Sequence, residues 1–301
     1  MLIISLLALV IAPAAALAQF EFRDLDFKSV ELTENGAPVY VYNYGTMLKE
    51  GAAPDLARCC YLHPVYAPNG VVITDDFPED HPHHRGISWM WPVVVVDGRT
   101  YDLWNIKGIV VKFEEWRSKR VDSRWAELAV QNGWYVGDRK VVEEVVAIVT
   151  VPAAHGRRGI DITVALRSVG AQVDIGGTHE FDECYGGPLE IRFAPRTDTK
   201  IRTATQGYAP DSDLVPAAWA ELTGNFGGKI VTANIRCAPN NPGLPNGWCL
   251  RHYGFLGVEY PGLELRRLSD DAPLIMAFDV SLFAGPSAAA LPSKHVLVGE
   301  K

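Results

Sequence analysis

The sequence lacks a basic segment and carries more acidic than basic residues. Its 301 residues include 28 Lys plus Arg and 36 Asp plus Glu, which gives a formal charge of −8. Proteins that bind nucleic acid neutralise phosphates with clustered Lys and Arg. We therefore expect no nucleic-acid partner. A hydrophobic content of 48% also excludes a disordered chain.

Motifs that mark several common enzyme classes are absent as well. The sequence contains no GxSxG nucleophile elbow, no P-loop and no GxGxxG dinucleotide fingerprint. No CxxC pair occurs, which argues against a zinc site built from cysteines. The sequence therefore does not point to a serine hydrolase, a P-loop nucleotidase or a dinucleotide-dependent oxidoreductase of the usual kinds.

Long apolar runs are confined to the N-terminus. Residues 1–18 contain no charge and end in Ala16-Leu17-Ala18, the small-x-small pattern that a signal peptidase recognises. We predict a signal peptide with cleavage after Ala18 and a periplasmic or secreted protein, with a retained anchor as the alternative. No later segment reaches about eighteen uninterrupted apolar residues, so we expect no membrane span in the mature chain.

Cysteine is scarce for an exported protein. Five cysteines allow at most two disulfides and leave at least one thiol unpaired. Cys237 and Cys249 bracket a loop rich in Pro, Asn and Gly, and we predict a disulfide between them. Cys59 and Cys60 are adjacent, so a bond between them would be strained, and Cys184 lies beside a Gly-Gly turn.

Helical periodicity is also scarce, and short β segments take its place. Apolar and polar residues alternate over 160–167, which is typical of a strand with one buried face. Leu189, Ile191 and Phe193 alternate in the same way, which places Glu190 and Arg192 together on the opposite face. Four β-branched runs suit strands that are buried on both faces: 93–96, 109–111, 145–151 and 230–233.

The organisation of the chain indicates a single large sandwich. We find no linker, no low-complexity stretch and no repeat of fixed period. Residues 217–222 form the only predicted helical turn. We therefore predict one all-β domain over residues 19–301, a large antiparallel β-sandwich of the super-sandwich kind.

The densest polar cluster runs from Asp80 to Gly86. Three histidines within four residues, together with Arg85, can supply a general acid and base or metal ligands. In an extended segment His81 and His83 project to one side and His84 to the other, unless the backbone turns. The predicted catalytic residues here are His81, His83, His84 and Arg85. A divalent metal bound by His81 and His83 is an alternative that needs further ligands, such as His63, His179 or Glu180.

Two more polar clusters contribute candidates. One spans residues 178–187 and leads into the strand with Glu190 and Arg192, and the other spans residues 246–254. We predict catalytic roles for His179, Arg192 and His252. We predict substrate-binding roles for the nearby aromatic and polar side chains: Trp89, Tyr185, Glu190, Trp248, Arg251 and Tyr253.

Aromatic residues lie beside these clusters and favour a carbohydrate ligand. The chain has 8 Trp, 11 Tyr and 11 Phe. Sugar rings present apolar faces that stack on aromatic rings, while Arg, His, Asp and Asn hydrogen-bond the hydroxyl groups at the ring edge. The alternative is that most of these aromatic residues belong to the core of the sandwich.

Three motifs together resemble a known family. They are DHPHHRGISWMW, CYGGPLEIRFAP and NNPGLPNGWCLRHYGFLGVEYPG, and they resemble the exported bacterial family catalogued as "methane oxygenase PmoA", whose function is unknown. The resemblance covers nearly all of the mature chain. It implies an all-β fold similar to the galactose mutarotase-like super-sandwich, and an association with exported proteins for sugar breakdown. It does not imply an oxygenase, because a particulate methane oxygenase subunit spans the membrane several times.

Three functional hypotheses follow. The first is an exported carbohydrate-active enzyme, in which a histidine moves a proton and arginines hold the substrate during hydrolysis, β-elimination or epimerisation. The second is a carbohydrate-binding protein without catalysis. The third is a metal-dependent oxidase or oxygenase, which needs three or more imidazoles or carboxylates around one ion.

Overall fold

Short strands make up nearly all of the regular structure. The structure is a computed structural model and describes residues 18–180 and 183–287, so the predicted signal peptide lies outside the described residues except for Ala18. Its only helix in that part of the chain is a single 3-10 turn, Pro54–Leu56. None of its helices there is long and apolar enough to cross a membrane.

The strands are numbered in chain order. The first eleven are β1 (Phe20–Asp24), β2 (Ser29–Glu34), β3 (Ala37–Asn43), β4 (Tyr61–Val65), β5 (Ile87–Met90), β6 (Val93–Val96), β7 (Arg99–Tyr101), β8 (Val110–Val121), β9 (Ala126–Val136), β10 (Arg139–Thr150) and β11 (Arg157–Ser168). The others are β12 (Val173–Gly176), β13 (Thr178–Glu180), β14 (Glu183–Tyr185), β15 (Gly187–Arg192), β16 (Thr197–Thr203), β17 (Trp219–Phe226), β18 (Lys229–Cys237), β19 (Gly247–Arg251), β20 (Phe255–Glu259), β21 (Arg266–Arg267) and β22 (Leu274–Phe283).

Two eight-stranded antiparallel sheets form the body of the fold. The first, named here the site sheet, has the strand order β1-β2-β3-β4-β5-β15-β20-β19. The second, the back sheet, has the order β16-β17-β18-β22-β11-β10-β9-β8. A four-stranded sheet, β21-β12-β6-β7, and the hairpin β13-β14 complete the described strands. The predicted all-β sandwich is confirmed.

The core lies between the inner faces of the two large sheets. In β11, Ile160, Ile162, Val164 and Leu166 are fully buried in it, as the alternation predicts. The site sheet contributes Leu189, Ile191 and Phe193 to the same core. Burying a side chain of this size stabilises the fold by about 1.5–3 kcal/mol, so the alternation determines which face of each strand turns inward.

Two local predictions about secondary structure are wrong. Residues 217–222 do not form a helical turn, because β17 begins at Trp219 and pairs with β18 along its whole length. Tertiary pairing overrides the helix propensity of alanine there. None of the four β-branched runs is buried on both faces along its whole length: in 145–151, for example, Val146 and Ile148 are buried whereas the residues between them are half-buried. Only one face of β10 contacts the core.

The predicted Cys237–Cys249 disulfide is also wrong. All five cysteines are buried and none is in a disulfide. Cys237 ends β18 of the back sheet and lies in the core between the sheets. Cys249 belongs to β19 of the site sheet, where it packs in a separate apolar cluster with Phe255. The two thiols therefore lie on different sheets, even though a short loop connects their strands.

Candidate functional site

A cleft opens on the outer face of the site sheet, away from the core. Strand register places Arg192, Phe255 and Arg251 directly opposite one another across β15, β20 and β19, so their side chains share that face. The cleft has a volume of about 430 Å³. Its lining combines aromatic, imidazole and polar side chains: His81, His83, His84, Trp104, Asn105, Lys107, Tyr185, Cys249, Tyr253 and Phe255.

A tight turn brings the three histidines together. The His84 amide donates a hydrogen bond to the His81 carbonyl oxygen at 2.9 Å, with Pro82 at the position that proline favours in such turns. The His81 and His84 rings stack with centroids 4.7 Å apart, and the His83 ring meets His84 edge-on at 4.6 Å. The backbone therefore turns here, which is the alternative to the extended geometry, and all three rings line the cleft.

Arg85 holds this turn from behind. Its guanidinium donates hydrogen bonds to the carbonyl oxygens of Pro82 and His84, both at 2.7 Å, and to that of Leu56 at 2.6 Å. It also lies 3.4 Å from the centroid of the Phe77 ring. Arg85 is almost fully buried by these contacts. The structure thus gives Arg85 a positioning role, and it does not line the cleft as the predicted catalytic role requires.

Asp80 connects the turn to the site sheet. Its Oδ1 accepts a hydrogen bond from Arg192 at 2.6 Å, and its Oδ2 lies 3.0 Å from Nδ1 of His81. Burial alone would raise the pKa of Asp80, but the contacts with Arg192 and His81 outweigh it and hold the pKa at about 2. The ionised carboxylate therefore lies at ion-pair distance from Nδ1 of His81, without a hydrogen bond of ordinary geometry between the two groups.

Tyr253 completes this corner of the cleft. Its ring stacks on His81 with centroids 4.8 Å apart, and the Arg192 guanidinium lies 4.9 Å from the same ring. Arg192 is buried, and its Nε and Nη1 atoms have no hydrogen-bond partner among the described residues. The predicted grouping of Arg192, Tyr253 and His81 in one site is therefore what the structure shows.

The other two histidines of the turn are kept neutral. Burial, followed by the positive charge of Arg58, lowers the pKa of His83 to about 3. Burial and the neighbouring His83 lower the pKa of His84 well below its usual range. Both rings are uncharged at neutral pH, so each offers one N–H donor and one lone pair to a ligand.

Glu190 shares the outer face of β15 with Arg192, as predicted, but neighbouring residues cover it. It is 3% exposed, and its Oε1 accepts a hydrogen bond from the Ser88 hydroxyl at 2.6 Å. Burial raises the pKa of Glu190 to about 8, against the hydrogen bond from Ser88 and the positive charge of Arg58. Glu190 therefore does not line the cleft.

Two tryptophans predicted to bind substrate lie on the wrong face. Trp89 and Trp248 are buried in the core between the sheets. The Trp89 indole N–H donates to Glu144, and that of Trp248 donates to the Ala217 carbonyl oxygen. Successive side chains of a strand point to opposite faces of the sheet. Each of these tryptophans is next to a residue that faces outward, so its own side chain points into the core. The structure does not bring these residues to the cleft.

Arg251 and His252 lie beside the cleft and are not among its lining residues, whereas the side chain of His179 lies outside the described part of the structure. Arg251 donates hydrogen bonds to Asp213 at 2.6 Å and to the Ser212 carbonyl oxygen at 2.8 Å. Nδ1 of His252 lies 2.5 Å from Asp211 at the protein surface. His179 belongs to β13, in register with Cys184 of β14. His252 and Arg251 thus belong to a separate group beside the cleft.

Sequence reasoning missed Trp104 as a site residue. Its ring lies 5.6 Å from His84 and 4.9 Å from Tyr185, so it forms one wall of the cleft. Arg58 holds the loop that carries it by donating hydrogen bonds to the carbonyl oxygens of Leu103 and Trp104. The only signal in the sequence is an aromatic residue near the histidine cluster, because nothing in the spacing joins residue 104 to residue 84.

Among the side chains that the structure describes, the histidine turn is not part of a three-ligand metal group. In the part of the chain that the structure describes, one group of three metal-ligating side chains has its ligand atoms within 4.8 Å of one another, and it consists of Asp213, Cys249 and Glu259. His81 and His83 have no third ligand within that distance. The side chains of His179 and Glu180, which were named as further ligands, lie outside the described part of the structure, so the predicted divalent metal stays a prediction.

Comparison with known proteins identifies a family but no function. No curated protein matches the chain. Among solved structures it is similar to a putative kojibiose phosphorylase from human microbiome, with 11% sequence identity and a TM-score of 0.34. That match covers 81% of this chain, which spans only 26% of the phosphorylase chain. The PmoA label is not shown by any match and stays a prediction. Residues 29–294 match the model of a family of unknown function, DUF6807, and the chain belongs to that family.

Proposed function

We propose that the cleft binds a sugar and that His81, oriented by Asp80, moves a proton at a sugar carbon in an epimerisation or a β-elimination. The observation that carries the proposal is the 3.0 Å contact between Asp80 and Nδ1 of His81, a residue that lines the aromatic cleft. A histidine beside a carboxylate is a common arrangement for a general base, because the carboxylate can orient the ring for proton transfer.

The lining of the cleft suits a sugar. Trp104, Tyr185 and Tyr253 present ring surfaces for the apolar face of a pyranose, and Asn105 and Lys107 offer polar groups to its hydroxyls. A volume of about 430 Å³ falls in the range that small ligands occupy. These features support a monosaccharide or a terminal sugar unit as the ligand.

The same lining favours chemistry at carbon over displacement at the glycosidic bond. Glycoside hydrolases typically place two carboxyl groups on either side of that bond, whereas the described residues that line this cleft include no carboxylate. Arg192 and Lys107 supply positive charge, which stabilises the enolate-like charge that develops when a proton leaves the carbon next to a carbonyl or carboxylate group. We therefore favour uronic acids and keto sugars as substrates.

Proton exchange in heavy water tests this proposal directly. The purified protein would be incubated in D₂O with a panel of hexoses, uronic acids and their disaccharides, and NMR would follow deuterium incorporation at carbon. We expect exchange or an unsaturated product with the native protein, and a loss of at least about a hundredfold in His81→Gln. His155→Asn is the matched control, because His155 is exposed and lies outside the cleft.

Other outcomes would select another function. New reducing ends without carbon-bound deuterium would indicate hydrolysis and would refute proton transfer at carbon. Saturable sugar binding without turnover would favour the carbohydrate-binding protein, which the aromatic walls of the cleft also support. Absence of both binding and turnover across the panel would reject the sugar proposal.

Export is part of the same proposal. The support is the uncharged run of residues 1–18 and its Ala16-Leu17-Ala18 ending. Expression of the full chain in a bacterium, cell fractionation and N-terminal sequencing test it. A periplasmic product that begins at Gln19 is the expected result, and a cytoplasmic product that retains Met1 would refute it.

A further inference from the structure

We propose that Asp213, Cys249 and Glu259 form a binding site for a divalent zinc-like cation beside the cleft, whose lining includes Cys249. One ligand atom from each residue lies within 4.8 Å of the other two. A point therefore exists within about 2.8 Å of all three atoms, and zinc bonds of about 2.0–2.3 Å need only a small further closure. This site is separate from the histidine turn and goes beyond the proposed function.

Strand register places two of the three ligands close together. In the β19–β20 hairpin Cys249 lies opposite Gly257, and Glu259 lies opposite Gly247. Cys249 and Glu259 are thus diagonal neighbours on the outer face of the hairpin, and the residue directly opposite each of them is a glycine. The missing side chain at Gly257 lets the Phe255 ring pack over the hairpin, and the one at Gly247 lets Leu214 and the Glu259 carboxylate approach the strand.

A neighbouring segment contributes the third ligand. Ser212 forms a β-bridge with Leu250, which brings Asp213 next to the hairpin. Arg251 then donates a hydrogen bond to Oδ1 of Asp213 at 2.6 Å and holds the carboxylate in place. Orientation of a ligating carboxylate by a partner of this kind is typical of metal sites in proteins.

Glu259 provides an independent indication of a missing partner. It is 3% exposed, and its Oε2 accepts a hydrogen bond from the Leu214 amide at 2.7 Å. Its Oε1 is buried without a hydrogen bond of ordinary geometry from a described residue, and the Cys184 thiol is the weak donor that lies beside this carboxylate. Buried carboxylate oxygens are rarely left without a donor or a cation, so a bound cation accounts for this atom.

Charge and ligand chemistry indicate which cation fits. With Cys249 as a thiolate, the three ligands carry three negative charges, which a divalent cation and the Arg251 guanidinium balance. One thiolate with two carboxylates suits zinc better than magnesium or calcium, which prefer oxygen ligands alone. Three protein ligands leave a fourth position open for water, or for the Cys184 thiol that lies beside Glu259.

Metal binding by the full chain tests the site. The protein would be stripped with a chelator, titrated with Zn²⁺ in competition with a chromophoric chelator, and analysed for metal per chain. We expect one Zn²⁺ per chain in the native protein and an affinity at least about tenfold lower in Cys249→Ser and in Glu259→Gln. Cys237→Ser, which removes an equally buried thiol in the other core, should bind like the native protein.

Cobalt supplies a second readout that does not depend on affinity. Co²⁺ bound by a thiolate shows a charge-transfer band in the near ultraviolet, which should be present in the native protein and in Cys237→Ser but absent in Cys249→Ser. If Cys249→Ser does not fold, Asp213→Asn replaces it, since Asp213 is partly exposed. No stoichiometric zinc, unchanged affinity in the ligand variants, or loss of zinc only in His83→Ala would overturn the proposal.

Discussion

Replacing Glu190 with Gln should stabilise the protein, and the gain should grow as the pH rises. Glu190 is 3% exposed in the site sheet, where Ser88 donates a hydrogen bond to its Oε1, and its Oε2 has no hydrogen-bond partner among the residues that the structure describes. Glutamine has nearly the same shape and keeps an oxygen that accepts the Ser88 hydrogen bond. The substitution therefore removes the ionisation of residue 190 with little change in packing.

The size of the effect follows from the pKa of Glu190, which burial raises from 4.5 to about 8. Between these two values the unfolded chain releases the proton while the folded protein retains it. The free energy of unfolding therefore falls as the pH rises through this window, by about 1.4 kcal/mol for each pH unit. Relative to the native protein, Glu190→Gln should gain about 4 kcal/mol between pH 5 and pH 8.

Urea unfolding followed by tryptophan fluorescence measures this difference at several pH values. Comparing the variant with the native protein at each pH cancels the contribution of every other titrating group. Glu50→Gln, at an exposed position, is the control for the substitution itself. A stability difference between Glu190→Gln and the native protein that stays constant from pH 5 to pH 8 would refute the argument. A stability difference that becomes smaller as the pH rises would show that the pKa of Glu190 is lowered, not raised, in the folded protein.

Three further predictions concern the cleft. Arg85→Gln should lower the free energy of unfolding by about 3 kcal/mol and weaken sugar binding, because the carbonyl oxygens of the histidine turn lose their donors. Urea unfolding measures the stability and calorimetric titration measures the binding. Unchanged stability would contradict the positioning role of Arg85. Asp80→Asn should lower turnover by about 10-fold to 100-fold and alter its pH profile, because the His81 ring loses the carboxylate that orients it; native-like kinetics would show that the pair is not functional. Trp104→Ala should weaken sugar binding by about tenfold, whereas Trp248→Phe should lower stability and leave binding intact. Calorimetric titration of both variants measures the affinity for sugar. Weaker binding in Trp248→Phe and native affinity in Trp104→Ala would show that the ligand binds elsewhere.

Much of the strand structure could be predicted because burial acts on neighbouring residues with a period of two. The alternation over 160–167 and 189–193 identified β11 and β15 and put Glu190 and Arg192 on one face. A shift of the strand register by one residue would expose a whole row of apolar side chains, so the pattern is a strong constraint. The same rule places Trp89 in the core beside the outward-facing Ser88. The face that turns inward depends on the packed partner sheet, so the sequence alone did not identify that tryptophan as a core residue.

The residues of the candidate site could also be predicted only in part. Residue type and local density pointed to His81, His83 and Arg192, because imidazole and guanidinium groups are seldom gathered without a partner to bind. Their convergence depends on a turn closed at Pro82 and on pairing between β5 and β15, which are separated by about a hundred residues. Loop closure over such a distance costs entropy that only the shared core offsets. The sequence by itself determined the all-β class and the main polar cluster, and only the packing of the two sheets decided which face carries the cleft and which side chains enter it.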